Sequence, residues 1–527
     1  MLVAAMLLSC CRALRGGSGA VGMVARGRGG LLGGAAARGR PLASTLAADS
    51  EAGVSWGALG LYEDLVDAVE RLDLEAPSEI QRIAIPSVLR RENLMYAAET
   101  GSGKTLAYLL PLFSQLKAEE FAARSAGGEA AMAKLRQARR PRALVLVPTR
   151  ELATQVLSVA KDVAHVAKVS CRGVTGGSDG VGKQRAKLLN GAYDVLVATP
   201  GRFVKLWDLG DVHVSRVATV VVDEVDTMLS QGFGADLEKI LKATSRIAKS
   251  RTKEDEPGKE PEPAQVVATT ATLTKAVKRT LGPVGQRDAH WTFLPELRVV
   301  ESSNLHKAVK TARLDTFDVT GKDKLAELSS LLAGGRDKTL VFCNTVASCR
   351  AVEHFLRERG GFGGTGKDDD DEANRLFCYH GDMNSLEREK SLRDFRAAAD
   401  AEAKATLVCT DLAARGLDVP DVGHVVMFDF PRNPVDYLHR AGRTARAGSD
   451  GVVSALVAKP DRVLANAITR AIANGEPISE LSSDKKAYMP GGSHAPRARP
   501  DSKKAAAARD LKRAARRPQK KKRRRGS

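Results

Sequence analysis

The chain has 527 residues, 43% of them hydrophobic and 28% charged, and a formal net charge of +19. That length excludes a single compact core and predicts two domains plus tails, with apolar content ample for globular folding. Residues 1–48 hold six arginines and no acid (+6), and residues 485–527 hold 17 Lys/Arg against Asp501 and Asp510 (+15), which leaves 19 − 21 = −2 for residues 49–484.

A near-neutral body with two basic arms suits a polyanion, because each neutralised phosphate releases counterions; a merely solubilising tail is the plainer alternative. The leader opens "MLVAAMLLSCCRALRGG". Its apolar run is too short to span a bilayer, and its arginines follow that run instead of preceding it. Residues 1–48 therefore read as an organellar transit peptide, with scarce Ser and Thr favouring the mitochondrion over the plastid. The seven cysteines form no C-x-x-C pair, and most sit in apolar runs such as "LVFCNT", which indicates reduced, buried thiols.

Beyond the leader, Val/Leu-rich strands alternate with amphipathic stretches of helical length. The strands are "ALVLVPT" (143–149), "DVLVATP" (194–200), "TVVVDE" (219–224) and "QVVATTATL" (265–273), then "KTLVFCNT" (338–345), "RLFCYHG" (375–381), "ATLVCTD" (405–411) and "HVVMFDF" (424–430). Continuous apolar strands separated by helices predict parallel sheets covered on both faces. Two α/β domains follow, over 50–295 and 312–475, joined by a linker at 296–311. Residues 119–142 read as an inserted, partly helical excursion. Residues 250–264 and 360–373 read as charged, disordered loops, and the low-complexity tail from Lys485 receives no fold.

"AAETGSGKTLAY" (97–108) follows the strand-like "NLMY" and opens an apolar helical run. The loop Thr100-Gly101-Ser102-Gly103 is expected to wrap phosphate oxygens with backbone N–H groups. Lys104 would reach the terminal phosphates and Thr105 would bind Mg²⁺. Such a loop needs an acid on a neighbouring strand. "VVVDE" supplies Asp223 for the metal shell and Glu224 to polarise water. "YLHRAGRTARAG" (437–448) offers Arg440, Arg443 and Arg446, whose spacing of three places them on one helical face. There they form either a solvated basic helix or an arginine finger.

The ordered set of motifs resembles the DEAD-box ATP-dependent RNA helicases of superfamily 2 across residues 56–460. Trp56 with "PSEIQ" (77–81) resembles the Q motif, and "AETGSGKT" (98–105) the family's phosphate loop, including Ala98 in place of the general pattern's first glycine. "PTRELATQ" (148–155), "GG" (176–177), "TPGR" (199–202), "DEVD" (223–226) and "TAT" (270–272) follow. The second domain brings "VFCNT" (341–345), "YHGDMNSLERE" (379–389), "TDLAARGLDVP" (410–420) and "HRAGRTARAG" (439–448).

The resemblance implies two tandem RecA-like domains that close over ATP and single-stranded RNA. It implies that Gln81 selects adenine, Asp418 the ribose, and Arg443 and Arg446 the γ-phosphate. Lys104, Glu224, Arg443 and Arg446 carry the chemistry. Thr149, Arg150, Gly177, Thr199, Arg202, Thr345, Gly381, Arg388 and Thr410 line an RNA path read mostly through its backbone. Asp226, Thr270, Thr272 and His439 couple the halves. Val225 replaces the alanine of DEAD, Thr270 the serine of SAT, Ser385 a common glutamine, and Asp73–Leu74 a glycine–aromatic pair. None of these removes a catalytic atom.

The expectation is a monomeric RNA-stimulated ATPase that locally unwinds or remodels RNA, with no membrane partner, in company with ribosomal or other ribonucleoprotein components. The leader and residues 426–448 are similar to organellar members, so ribosomal RNA maturation fits. "KKKRRR" (520–525) would suit a nuclear or nucleolar address instead. An ATP-gated RNA clamp uses the same motifs, and a DNA translocase is the weaker alternative.

Overall fold

The computed structural model describes residues 54–177, 180–255, 263–281, 291, 293–294, 297–303, 305, 311–334, 338–359, 374–398, 404–411, 419, 422–445, 449–479, 481–482 and 484–488. The leader, almost all of the basic tail, the 360–373 loop, Asp418 and Arg446 lie outside these residues.

Seven strands build the first sheet: β1 (Leu94–Ala97), β2 (Ala143–Leu146), β3 (Cys171–Val174), β4 (Val195–Ala198), β5 (Thr219–Val222), β6 (Gln265–Thr270) and β7 (Arg298–Glu301). They lie in the order β3-β4-β2-β5-β6-β1-β7, and every pairing is parallel. Six more build the second: β8 (Ala312–Asp318), β9 (Lys338–Cys343), β10 (Asn374–Tyr379), β11 (Lys404–Thr410), β12 (His424–Met427) and β13 (Gly451–Val457). Their order is β10-β11-β9-β12-β13-β8, again wholly parallel.

The period-2 alternation of strands explains why these runs are apolar throughout. In the first sheet Val145, Val197, Val221 and Val267 face one core, which also holds buried residues of helices Glu63–Arg71, Glu79–Leu89 and Arg150–Ala167. Leu144, Leu146, Leu196 and Val220 face another, shared with helices Pro200–Asp208 and Gly234–Asp255. Phe342, Leu407 and Met427 split from Val341, Val408 and Val426 in the same way in the second sheet. Each fully buried Val or Leu stabilises the fold by roughly 1.5–3 kcal/mol.

Three expectations change. Residues 298–301, assigned to the linker, form β7 beside β1 in the first sheet. The loop expected over 250–264 is helical over its first residues, where helix Gly234–Asp255 continues, and residues 256–262 lie outside the described residues. The excursion at 119–142 is partly helical as expected, but it starts as a continuation of the helix from Lys104, which runs to Leu135. That helix breaks at Gly127 and Gly128, the latter at φ 56°, ψ −141°, a conformation open essentially to glycine. The returning chain is tied down by buried Arg142, which donates to Glu120 (2.8 Å), Asp194 (3.2 Å) and the Leu116 carbonyl (3.2 Å). Asp194 also accepts from Arg136 (2.8 Å) and the Ser170 amide (2.9 Å), so this buried carboxylate is fully paired.

Candidate active site and nucleic-acid interface

The parallel topology sends the ends of β1, β2, β4, β5 and β6 to one edge of the first sheet, and the motifs sit there. After β1, Gly101 (φ 85°) and Gly103 (φ 87°) adopt left-handed backbone that lets the chain curl before helix Lys104–Leu135. Lys104 Nζ donates to the carbonyls of Ala98 (2.7 Å) and Glu99 (2.8 Å) at the mouth of this loop. Burial pulls its pKa down, against the pull of Asp223, Glu224, Asp226 and Glu99.

Gln81 is buried against the loop. Its Nε2 donates to the Gly103 carbonyl (3.2 Å), its Oε1 accepts from the Ser78 amide (2.7 Å), and Ser78 Oγ donates to the Ser102 carbonyl (2.8 Å). The glutamine expected to read adenine is thus also a brace of the phosphate loop. Trp56 is a core residue whose Nε1 donates to the Leu74 carbonyl at 2.8 Å. Asp73, where the resemblance expects a glycine, adopts left-handed backbone at φ 56°.

After β5, both oxygens of Asp223 are fixed. Oδ1 accepts from Thr269 Oγ1 (2.7 Å) and the Glu224 amide (2.9 Å), and Oδ2 accepts from Tyr108 Oη (3.0 Å). Burial and Asp223 push the Tyr108 phenol up, and the neighbouring Thr105 hydroxyl opposes the rise. Sequence reasoning missed Thr269 and Tyr108, although Tyr108 lies one helical turn beyond Lys104. The donor set of one carboxylate and one hydroxyl, with no His or Cys, fits a hard cation that keeps waters and phosphate oxygens as its remaining ligands, as Mg²⁺ does.

Glu224 stands at φ 48°, ψ 51°, a left-handed conformation costing a non-glycine residue about 1–3 kcal/mol and typical of functional sites. Its Oε2 is buried with no protein hydrogen-bond partner among the described residues. Burial and neighbouring Asp223 raise its pKa, while His439 and Arg443 oppose the rise. Val225 fills the core with no exposed surface.

Asp226 accepts from Thr272 Oγ1 (2.5 Å) and the Thr272 amide (3.2 Å). Thr270 does not make that contact: its hydroxyl donates to the Thr272 carbonyl (2.8 Å) and accepts from the Thr272 amide (3.1 Å). The third residue of "TAT" therefore reaches the acid and the first holds it in place. Burial alone would raise the Asp226 pKa, but His439, the Thr272 hydroxyl and the Thr227 amide outweigh it and hold the group at about 2.

The second sheet presents its own edge to this site. His439 Nε2 lies 3.5 Å from Asp226 Oδ2, and Thr100 Oγ1 donates to the Gly442 carbonyl at 3.0 Å. Arg440 and Arg443 do not share a helical face, and Arg446 lies outside the described residues. Helix Pro434–Ala441 ends at Gly442, and only Arg440 lies within it. Arg440 is 1% exposed and turns inward, with its fork on Asp411 (2.6 and 2.5 Å), Asn344 (2.6 Å) and the Asp429 carbonyl (2.5 Å). Arg443, beyond the helix, is buried, donates to the His439 carbonyl (3.2 Å) and acts electrostatically on Glu224.

The residues expected along an RNA path group by domain. Thr149 caps helix Arg150–Ala167, accepting from the Leu152 amide at 3.2 Å. A Cβ on Gly177 (φ 117°) would lie 3.0 Å from Arg150, and the Gly176 amide donates to Thr199 Oγ1 at 3.2 Å, so Thr149, Arg150, Gly177 and Thr199 converge. Arg202 sits half-buried in the first turn of the helix after Thr199.

Across the gap, burial and the Glu151 carboxylate push the Tyr379 phenol up, while Arg388 and Arg150, from the two domains, oppose the rise. Gly381 and Thr345 are exposed nearby in their own domain's sequence motifs, and Thr410 closes β11. The Tyr379–Glu151 link carried no sequence signal. No helix among the described residues is long and apolar enough to cross a membrane. Cys343, Cys349, Cys378 and Cys409 are buried free thiols, as expected, and Cys171 is half-buried.

The family model for "DEAD/DEAH box helicase" matches residues 78–280, and that for "Helicase conserved C-terminal domain" matches residues 323–448. The DEAD-box ATP-dependent RNA helicase 39 of Arabidopsis thaliana is 40% identical over 434 residues, covering 81% of this chain and 62% of its own length. The chain thus spans about three-fifths of that relative. The probable ATP-dependent RNA helicase DDX28 of Homo sapiens is 33% identical over 450 residues, covering 83% of this chain and 76% of its own. Among solved structures, S. cerevisiae Dbp5 bound to RNA and ADP BeF3 superposes with a TM-score of 0.61 at 24% identity, covering 82% of this chain and 96% of that one. That likeness shows the fold: two tandem RecA-like domains.

Proposed function

This chain belongs to the DEAD-box helicase family, and on that footing we propose that it is an RNA-stimulated ATPase that locally unwinds or remodels structured RNA. The observation that carries the reading is the junction of the two sheets at the phosphate loop. Thr100 meets Gly442 and Asp226 faces His439, which brings Arg443 within electrostatic reach of Glu224. Neither half alone holds both the carboxylates and the guanidinium groups.

In this reading Gln81 reads adenine, Asp418 contacts the ribose, and the Thr100–Gly103 backbone with Lys104 cradles the phosphates. Thr105 and Asp223 would hold Mg²⁺, which when bound neutralises charge on the phosphate oxygens. Glu224 orients water in line with the γ-phosphorus and accepts its proton as the new P–O bond forms and the bridging P–O bond to ADP breaks. Arg443 and Arg446 offset the charge that spreads over the γ-phosphoryl oxygens. The unpartnered Glu224 Oε2 and its raised pKa suit a group waiting for a water proton.

RNA would lie across both domains, on Thr149, Arg150, Gly177, Thr199 and Arg202 of the first and Thr345, Gly381, Arg388 and Thr410 of the second. Contacts of this kind go mainly to the backbone and carry little sequence preference. A path shared by two domains exists only when they are together, so binding RNA and ATP favours one closed state. The acid-free, arginine-rich segment 1–48 supports an organellar address, where ribosomal RNA maturation or ribosome assembly offers suitable substrates.

The deciding experiment is ATP turnover with and without single-stranded RNA for the full chain and for Glu224→Gln. RNA stimulation that the substitution abolishes is expected; unchanged turnover in the variant sinks the assignment. Strand displacement measured alongside separates an unwinding enzyme from a clamp that holds RNA. Imaging the chain with and without residues 1–48 tests the address.

A further inference from the structure

Gly442 separates two arginines with different duties: Arg440, locked into its own domain, and Arg443, near Glu224. Its backbone, at φ −70°, ψ 8°, is one that any L-residue adopts. Its own helix leaves room for a side chain with slight adjustment, since an added Cβ would lie 3.1 Å from the Leu438 carbonyl. The close contact is with the other domain, for the same Cβ would lie 2.3 Å from Thr100 Oγ1 and 3.7 Å from Thr100 Cβ. The hydroxyl that forbids the side chain also donates to the Gly442 carbonyl at 3.0 Å.

We infer that Thr100 and Gly442 form a closure latch, in which the phosphate-loop hydroxyl registers the backbone between Arg440 and Arg443 and so sets the arginine's distance from the γ-phosphate. This rests on the reading of the chain as an ATPase that closes over ATP and RNA. Thr100 is then a positioning residue. It couples the loop's conformation to the second domain through one hydrogen bond that is made only when the halves are together. Gly442 is glycine because of what approaches it in the closed state, and neither its own helix nor its dihedral angles require it.

A latch of this kind predicts a reciprocal rescue, because the obstructing atom in Gly442→Ala is a single oxygen on residue 100. The full chain and the variants Gly442→Ala, Thr100→Ala and the double variant are compared in three measurements. These are affinity for an ATP analogue without RNA, RNA-stimulated turnover, and RNA-dependent closure followed by energy transfer between dyes on the two domains.

Gly442→Ala is expected to bind the analogue alone as the parent does but to lose closure and at least about tenfold in turnover, the scale set by a sub-van der Waals overlap in a packed interface. Thr100→Ala loses one hydrogen bond and about two- to tenfold. The double variant should recover closure to the level of Thr100→Ala, a non-additivity that only direct contact produces.

If the double variant is as impaired as Gly442→Ala, the crowding lies at Leu438 and the latch is overturned. It is likewise overturned if Gly442→Ala closes and turns over as the parent does. A parent chain whose turnover RNA does not stimulate overturns the ATPase reading itself, and the latch with it, which separates the two failures.

Discussion

Asp226 Oδ2 and His439 Nε2 come from different sheets and lie 3.5 Å apart, both side chains buried, at 3% and 6% exposure. Asp226 is held on its own side by Thr272 and the Thr227 amide, so its position is fixed before the histidine arrives. Asp226→Asn keeps the shape and removes the charge that His439 faces. Since a hydrogen bond to a charged group contributes about 1.5–3 kcal/mol, RNA-stimulated turnover should fall about tenfold or more while ATP affinity without RNA holds. Steady-state ATPase with a nucleotide-binding titration checks this, and equal losses in both would show that Asp226 serves the nucleotide site directly.

On the proposed mechanism, Glu224 sets the pH dependence. Burial and Asp223 raise its pKa above the ordinary glutamate value of about 4.3, so on acidification it takes up a proton earlier than a free carboxylate. The protonated acid cannot accept a proton from water. Turnover should therefore decline on the acid side at a pH above about 4.3, while Asp226, at about 2, stays ionised throughout. The pH–rate profile measures this directly, and activity level down to about pH 4 would remove Glu224 as the base.

Arg440 is a structural arginine in a catalytic motif. Its fork satisfies Asp411 twice, together with Asn344 and the Asp429 carbonyl, and thereby ties the ends of β9, β11 and β12 to helix Pro434–Ala441. Arg440→Ala leaves Asp411 without its guanidinium partner and should destabilise the second domain by about 3 kcal/mol or more. Arg440→Lys should recover little, because a single ammonium cannot reproduce the fork. Chemical denaturation of both variants tests this; a lysine variant as stable as the parent refutes it.

Gly103 meets two demands at once. At φ 87° it occupies backbone that disfavours a side chain, and an added Cβ would lie 2.5 Å from Gln81 Nε2. Gly103→Ala should weaken ATP binding about tenfold or more, since the strain and the displaced glutamine both fall on the loop that would carry the phosphates. Nucleotide titration followed by anisotropy checks it, with Gln81→Ala in the same background as the control that relieves the overlap but not the strain.

Much of this was readable in the residues. The doubly covered sheets follow from runs such as "TVVVDE" and "KTLVFCNT", in which both alternating faces are apolar. The strands left unread are those where that signal weakens. β3 is half-exposed, β7 and β8 are edge strands with mixed faces, and β13 carries Ser454, whose hydroxyl meets His424 Nε2 at 2.8 Å inside the core. The carboxylates and phosphate loop were legible because their chemistry fixes short local patterns.

What holds them was not legible. Tyr108 and Thr269 reach Asp223 from 115 and 46 residues away, and neither residue type in isolation signals a carboxylate brace. The helical-face reading failed for Arg440 and Arg443 at Gly442, where the helix stops. Spacing alone cannot show that one arginine points into its own domain while the next faces its neighbour.

The helix that begins at Lys104 passes Leu116 and Glu120, where Arg142 of the returning chain is fastened, and goes on to the glycine break. From Lys104 to Ala126, just before the glycine break, 23 residues at 1.5 Å each make a rod about 35 Å long. The excursion and the phosphate loop are thus opposite tips of one lever. A molecule that grasps residues 119–126 takes hold of the same stiff member that carries the lysine.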